Sequence, residues 1–196
     1  MKIIGITGGV GAGKTTLLTA LNEVIPSYIL LSDEAAHKVE MSGTNCFNEL
    51  INLLGKDVLS DDGEIDKKKM ASMIFSDGEL LSKINAIVHP AVKKYILNEI
   101  KKEKDKNEKE LFFIEAALLI ECGYKEIVDE MWYVYASDDV RRRRLKESRS
   151  YSDEKIDNIF ASQLSDEEFR KNSDFVIDNS GTVEDSISQI IKRIGL

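Results

Sequence analysis

The sequence predicts an α/β fold in which a five-stranded parallel sheet lies between layers of helices. Two observations support this prediction: short apolar runs typical of buried strands, and amphipathic helical patterns between most of them. The predicted strands cover residues 3–6, 28–31, 111–114 and 131–135, and the run 174–181 predicts a last strand with a turn. A chain of 196 residues with 42% hydrophobic content can bury such a core.

The first strand leads into a glycine-rich segment, Gly8 to Thr15, that matches the pattern G-x-x-x-x-G-K-[ST]. In this pattern backbone N–H groups surround a phosphate, Lys14 reaches the β- and γ-phosphates, and the Thr15 hydroxyl binds Mg²⁺. The helix that begins near Gly13 points its N-terminus at the anion. A glycine-rich turn that binds nothing is the alternative. We therefore predict a P-loop NTPase fold that binds a nucleotide.

Two segments interrupt this core. Residues 33–110 are mostly helical and predict an inserted helical region, with a helix break expected at His89-Pro90 because proline disfavours helix at the preceding residue. Residues 141–171 are highly charged and predict a lid, which we expect self-repulsion to keep open until phosphates bind. The core then comprises 1–32, 111–140 and 172–196 of a single P-loop kinase domain.

Acidic residues follow two of the predicted strands. Asp33 follows the second strand, where it can serve catalysis or a metal, or instead cap a helix that begins at Glu34. Glu115 ends the third strand, where a Walker-B-type carboxylate lies, although it too could be a helix cap. His89 at a helix junction favours a structural role over acid–base chemistry. Of the four arginines at 141–144, helical spacing allows one or two to face a phosphoryl group, the alternative being a solvated surface.

A phosphate loop, an acid at a strand end and an arginine-rich lid together indicate phosphoryl transfer. The second half contains no guanine-reading N-K-x-D segment, which argues against a GTPase. A net charge of −8 argues against a broad nucleic-acid surface.

The apolar runs are short and the chain starts directly in a strand, so we expect no membrane span, no signal peptide and a cytoplasmic location. Cys46 and Cys122 are too isolated for a disulfide framework or a zinc site.

The order of several short motifs resembles the dephospho-CoA kinase family over nearly the whole chain. These motifs are GGVGAGKT, Ser32-Asp33, His89-Pro90, Leu118-Leu119, Glu121, Gln163 and DFVIDNSG. The resemblance implies an adenylate-kinase-like fold in which 33–110 is the helical region that binds the acceptor substrate and 141–171 is an arginine-bearing lid. It also implies that ATP phosphorylates the ribose 3′-hydroxyl of dephospho-CoA, a small-molecule partner, to give coenzyme A and ADP, with Mg²⁺ as the metal.

The resemblance also implies roles for individual residues. Asp33 would accept the proton of the ribose hydroxyl and, with Lys14, form the catalytic pair. The acceptor would contact Asp33, His89, Leu118, Leu119 and Arg144. The ATP contacts would be Gly9, Gly11, Ala12, Gly13, Lys14, Thr15, Thr16, Asn179 and Gly181, with Thr15 also holding the metal.

The chain departs from the family pattern at two positions and leaves two rival functions open. Leu31 stands where the family commonly has an aspartate, and Ala117 where it commonly has a proline. One rival is a kinase of the same fold that phosphorylates another small molecule or nucleotide. The other is a nucleotide-dependent binding or regulatory module without transfer chemistry, which needs no proton acceptor at Asp33.

Overall fold

The computed structural model describes residues 1–75 and 77–195, so Ser76 and Leu196 lie outside the described residues. Within that part, one five-stranded parallel sheet has the strand order β2-β3-β1-β4-β5, which confirms the predicted fold class. The strands are β1 (Lys2–Thr7), β2 (Tyr28–Leu31), β3 (Leu111–Glu115), β4 (Glu130–Tyr135) and β5 (Phe175–Asp178). The helices are α1 (Lys14–Val24), α2 (Ser32–Glu40), α3 (Asn45–Leu54), α4 (Lys67–Phe75), α5 (Gly78–Lys106), α6 (Asp138–Arg149), α7 (Asp153–Ala161), α8 (Asp166–Lys171) and α9 (Val183–Ile194).

The sheet is buried on both faces, as its near-continuous apolar strands require. On one face, alternate residues of β1, β3 and β4 pack with α1 and α9 in a single apolar cluster that includes Leu17 and Ile190. On the opposite face, Tyr133 of β4 stacks on Phe169 of α8, with ring centroids 4.7 Å apart. This layering places the loop after the central strand β1 at the carboxyl edge of the sheet, where open α/β sheets bind ligands.

The chain forms two compact units. The first contains residues 1–30 and 106–196, and the second contains residues 31–105. In the second unit, an antiparallel bridge joins Leu59 to Ile65, and α3 and α5 both contain buried side chains. The assignment of 33–110 to acceptor binding and of 141–171 to a lid stays a prediction.

The predicted break at His89-Pro90 is wrong, because α5 runs without interruption from Gly78 to Lys106. Pro90 lacks the N–H that would donate to the Ala86 carbonyl, and both residues are exposed, so water can reach this part of the helix. On the other side of the helix, an apolar stripe continues through the proline. Its buried members are Ile84, Val88, Val92, Ile96 and Ile100. Burial of this stripe outweighs the loss of one backbone hydrogen bond.

A search of the described residues for membrane-spanning segments finds no helix with both the length and the apolar character to cross a bilayer.

Candidate active site

The loop between β1 and α1 has the backbone conformation of an anion-binding site. Gly13, the residue before α1, has φ of 87°, a left-handed conformation that residues with a Cβ rarely adopt. The loop closes on itself through the Ala12 N–H, which donates to the Gly9 carbonyl at 3.1 Å. The N-cap residue Gly13 has no side chain with which to cap the N-terminus of α1. Its first N–H groups therefore suit a phosphate.

Lys14 lies in the first turn of α1 and folds back over the same loop. Its side chain is 8% exposed, and its ammonium donates to the carbonyls of Gly8 at 2.8 Å and Gly9 at 3.4 Å. These carbonyls hold the ammonium at the edge of the loop. The position is that of a fixed positive charge beside the place where the loop N–H groups would hold phosphates.

Thr15 and Glu115 bring two oxygen ligands together beside the loop. The Thr15 hydroxyl donates to the Glu115 carboxylate at 2.8 Å. Glu115 ends β3 and is in register with Ile6 of β1, so strand pairing places its carboxylate at the base of the loop. Mg²⁺ prefers hydroxyl and carboxylate oxygens, so this pair fits the predicted metal. Glu115 is absent from the site residues that the resemblance implies, although its position at a strand end is where a Walker-B-type carboxylate lies.

Two of the four consecutive arginines contact the loop. Arg141 donates through Nε to the Val10 carbonyl at 3.0 Å, and Arg144 donates through Nη1 to the Ala12 carbonyl at 3.1 Å. Their spacing of three residues places both on one face of α6. Burial lowers the pKa of the Arg141 guanidinium from its ordinary value, yet a guanidinium keeps its charge at neutral pH. A partly desolvated cation therefore lies against the phosphate loop.

Ion pairs offset part of the positive charge in the segment 141–171. Arg142 forms ion pairs with Asp153 and Asp157, and Lys146 lies 2.7 Å from Asp153. The acids of α7 thus offset the charges of Arg142 and Lys146, whereas burial and the neighbouring Arg143 charge both lower the pKa of Arg144. Self-repulsion as the force that opens the segment and closure over a nucleotide therefore both stay predictions.

Asn179, which follows β5, connects the end of that strand to the phosphate loop by a hydrogen bond. Its side chain is 2% exposed, its Nδ2 donates to the Ala12 carbonyl at 2.7 Å, and its Oδ1 accepts from the Ser186 hydroxyl at 2.8 Å. Arg144 donates to the backbone carbonyl of Asn179 at 2.9 Å. A Cβ on Gly13 would lie 2.7 Å from Asn179 Nδ2, so the loop backbone and the Asn179 side chain approach closely. In this structure Asn179 holds the loop, and its predicted contact with adenine stays a prediction.

We expect Asn179→Ala to lower the free energy of unfolding by about 1–3 kcal/mol, because a buried amide loses its partners and leaves a void. Asn172→Ala is the matched control, since its amide donates to the Glu168 carbonyl on an exposed surface. We expect that control to change stability by less than about 0.5 kcal/mol. Urea unfolding of both variants measures the difference, and equal losses would contradict a supporting role for Asn179.

Gln163 also contacts the loop, a role that its motif did not reveal. Its Oε1 accepts from the Val10 N–H at 3.2 Å and from Arg141 Nη2 at 2.7 Å. Sequence reasoning gave Gln163 no role and did not single out Arg141 among the four arginines. Only the packing of α6 and α7 reveals which polar groups in this charged segment face inward.

The other predicted nucleotide and acceptor residues of the first unit differ in exposure. Thr16 and Gly181 are exposed. Leu118 is 51% exposed, whereas Leu119 is fully buried beside Gly5. Of this leucine pair, only Leu118 therefore offers surface to a ligand in this structure.

In the second unit, Asp33 is exposed in the first turn of α2. The helix begins at Ser32 with Leu31 as its N-cap residue, so the prediction that Asp33 caps a helix beginning at Glu34 is wrong. The four-residue strand β2 leads directly into the helix, which leaves Asp33 two positions past the N-cap residue Leu31. His89 is exposed in the middle of α5, where no helix junction exists.

Comparisons with known proteins agree on one family. The dephospho-CoA kinase family model matches residues 2–185. A dephospho-CoA kinase from Aquifex aeolicus is 37% identical over 193 residues, covering 98% of this chain and 95% of that protein. A crystal structure of a Thermus thermophilus protein is similar with a TM-score of 0.82 and 30% identity, covering 98% of this chain and 95% of the other. A crystal structure of a shikimate kinase from Bacteroides thetaiotaomicron shares the fold, with a TM-score of 0.62 and 14% identity. The match covers 100% of this chain and 99% of the shikimate kinase chain.

Proposed function

This chain belongs to the dephospho-CoA kinase family, whose reaction transfers phosphate from ATP to dephospho-CoA to give coenzyme A, and we propose that the accepting group is the ribose 3′-hydroxyl. The observation that best supports transfer chemistry is the loop itself. It combines an uncapped helix N-terminus, the ammonium of Lys14 and the guanidinium of Arg141 within one network of hydrogen bonds. Phosphoryl transfer depends on positioning and charge neutralisation, and this network supplies both.

Each polar group has a proposed task in the reaction. Backbone N–H groups of residues 9–16 hold the ATP phosphates, and Lys14 neutralises charge that develops between the β- and γ-phosphates. Asp33 orients the ribose hydroxyl and accepts its proton as the new P–O bond forms. Asn179 and Gly181 lie on the adenine side, and Arg144 adds charge toward the acceptor.

We propose that 33–110 binds the acceptor, with His89 and the 118–119 leucine pair contributing contacts, and that 141–171 is the lid. The proposed partners are small molecules, with neither nucleic acid nor membrane, and the proposed location is cytoplasmic. The high net negative charge supports the absence of a nucleic-acid surface.

Mg²⁺ is the proposed metal, held by the Thr15 hydroxyl with Glu115 beside it. When bound, the metal would neutralise charge on the ATP phosphates. The Thr15 hydroxyl donates its proton to Glu115 and keeps lone pairs on its oxygen for a cation. The carboxylate therefore orients the hydroxyl oxygen.

We expect Thr15→Val to raise the Mg²⁺ concentration needed for half-maximal activity, because the hydroxyl ligand is lost at similar volume. Thr19→Val is the matched control on the same helix, where the hydroxyl donates to the Thr15 carbonyl on the exposed surface. Titration of Mg²⁺ at saturating ATP measures the shift. If the two variants and the parent gave superimposable Mg²⁺ titrations, the result would contradict the assignment of Thr15 as a metal ligand.

A panel of acceptors tests the proposed function. The protein is incubated with ATP and Mg²⁺ together with dephospho-CoA, adenosine, shikimate and nucleoside monophosphates, and each product is identified by mass spectrometry. We expect phosphorylated product from dephospho-CoA, with the phosphate on the 3′ position by NMR. Preference for another acceptor would support the rival kinase, and binding of ATP without any product would support the regulatory module.

A further inference from the structure

Gln163 holds the tip of the phosphate loop from outside the loop sequence. We propose that Gln163 is a positioning residue for ATP binding, whose carboxamide oxygen fixes the Val10 peptide and the Arg141 guanidinium in one arrangement. This inference deepens the proposed function and rests on it for its consequence in catalysis. The geometric part does not depend on any reaction.

Both polar backbone groups of Val10 are bound by this pair of side chains. Gln163 Oε1 accepts from the Val10 N–H at 3.2 Å, and the Arg141 Nε–H donates to the Val10 carbonyl at 3.0 Å. Val10 lies between Gly9 and Gly11, and glycine allows the backbone many conformations. Within the loop, the Gly9 carbonyl of the Gly9–Val10 peptide accepts from the Ala12 N–H and from the Lys14 ammonium. Gln163 and Arg141 add hydrogen bonds from distant segments to the two peptides that flank the Val10 Cα.

The same oxygen of Gln163 also orients Arg141. Within the described residues, three of the five guanidinium N–H groups of Arg141 donate to protein oxygens: Nε to Val10, Nη1 to Asp138 at 3.1 Å and Nη2 to Gln163 at 2.7 Å. The ring of Phe160 lies below the guanidinium, with Arg141 Cζ 4.0 Å from its centroid. Together these contacts fix both the plane and the rotation of the charged group.

Gln163 can perform this task because α7 ends just before it. The last helical residue is Ala161, and the Gln163 N–H donates to the Phe160 carbonyl at 3.3 Å, so the turn that ends the helix sets the position of the glutamine. This bond links the positions of Phe160 and Gln163, both of which contact Arg141. The end of α7 thus helps to shape the loop that binds ATP, although Gln163 is 153 residues from Val10 in the sequence.

Amide exchange of the ligand-free protein tests the geometry. We expect the Val10 amide and the Arg141 Nε–H to be protected in the parent when followed by NMR. Gln163→Met keeps the side-chain length without an acceptor and should speed exchange of the Val10 amide about tenfold, the effect of one ordinary hydrogen bond. Gln163→Glu retains an oxygen at the same reach and should keep the protection.

Ser162→Ala is the matched control, since its exposed hydroxyl donates only locally, to the Ile159 carbonyl at 2.9 Å. It should leave Val10 exchange unchanged. A Val10 amide that exchanges in the parent as fast as in an unstructured peptide would overturn the proposal, even if Gln163→Met did not fold. Equal exchange in the parent and Gln163→Met, or equally fast exchange in the Met and Glu variants, would also overturn it.

Kinetics separate positioning from simple stability. We expect Gln163→Met to raise the KM for ATP about tenfold and to leave the KM for dephospho-CoA unchanged, whereas mere destabilisation would lower the melting temperature and leave both constants unaltered. An unchanged KM for ATP would contradict the positioning role. If the parent phosphorylated no acceptor, the proposed function would fail, while amide exchange would still decide the role of Gln163.

Discussion

Lys14→Met is expected to lower kcat by at least about a hundredfold, because it removes the positive charge from the position where the β- and γ-phosphates bind. Methionine is a better replacement than alanine, since the Lys14 side chain is 8% exposed and alanine would leave a void in the loop. The ammonium also donates to the carbonyls of Gly8 and Gly9, so some loss of loop order accompanies the loss of charge. Steady-state kinetics at saturating ATP measure the effect.

Lys171→Met serves as the control, because Lys171 is an exposed lysine at the end of α8. Circular dichroism melting should show that both variants fold. A Lys14→Met protein that folds and keeps near-parental kcat would show that the loop does not hold transferring phosphates in the predicted way.

The sequence predicts most of the core because its signals are local. A buried strand needs only a short apolar run, and the loop after β1 needs glycines at fixed spacing, so both are visible in a few consecutive residues. Glu115 follows the same logic, since parallel strands bring their carboxyl ends to one edge. The structure confirms these strands, and pairs the Thr15 hydroxyl with the Glu115 carboxylate.

The features that escaped prediction depend on packing between distant segments. Pro90 indicates a helix break by its own chemistry, but the apolar stripe of α5 continues through it and overrides that preference. Four consecutive arginines look equivalent in sequence. Only the docking of α6 on the loop distinguishes Arg141 and Arg144, which contact it, from Arg142, which pairs with acids of α7.

Asp33 is the residue on which the proposed proton transfer depends. A sugar hydroxyl is a poor nucleophile at neutral pH, and a carboxylate that accepts its proton typically contributes about a hundred- to ten-thousand-fold to the rate. Asp33 is exposed in the first turn of α2 and is not the N-cap residue, so its structural contribution is limited to interaction with the helix dipole, about 0.3–1 kcal/mol. A large loss of rate without a large loss of stability would therefore indicate that Asp33 takes part in the chemical step.

The most direct test is the single-turnover rate of Asp33→Asn with ATP, Mg²⁺ and dephospho-CoA, measured by rapid quench. Asparagine keeps the size and most of the hydrogen bonding but removes the basicity, and Glu34→Gln is the control, an exposed neighbour in the same helical turn. We predict that Asp33→Asn binds ATP with parental affinity, unfolds at nearly the parental urea concentration and transfers phosphate at least about a hundredfold more slowly, while Glu34→Gln transfers at the parental rate. Transfer by Asp33→Asn at nearly the parental rate would contradict the proposal that Asp33 accepts the proton.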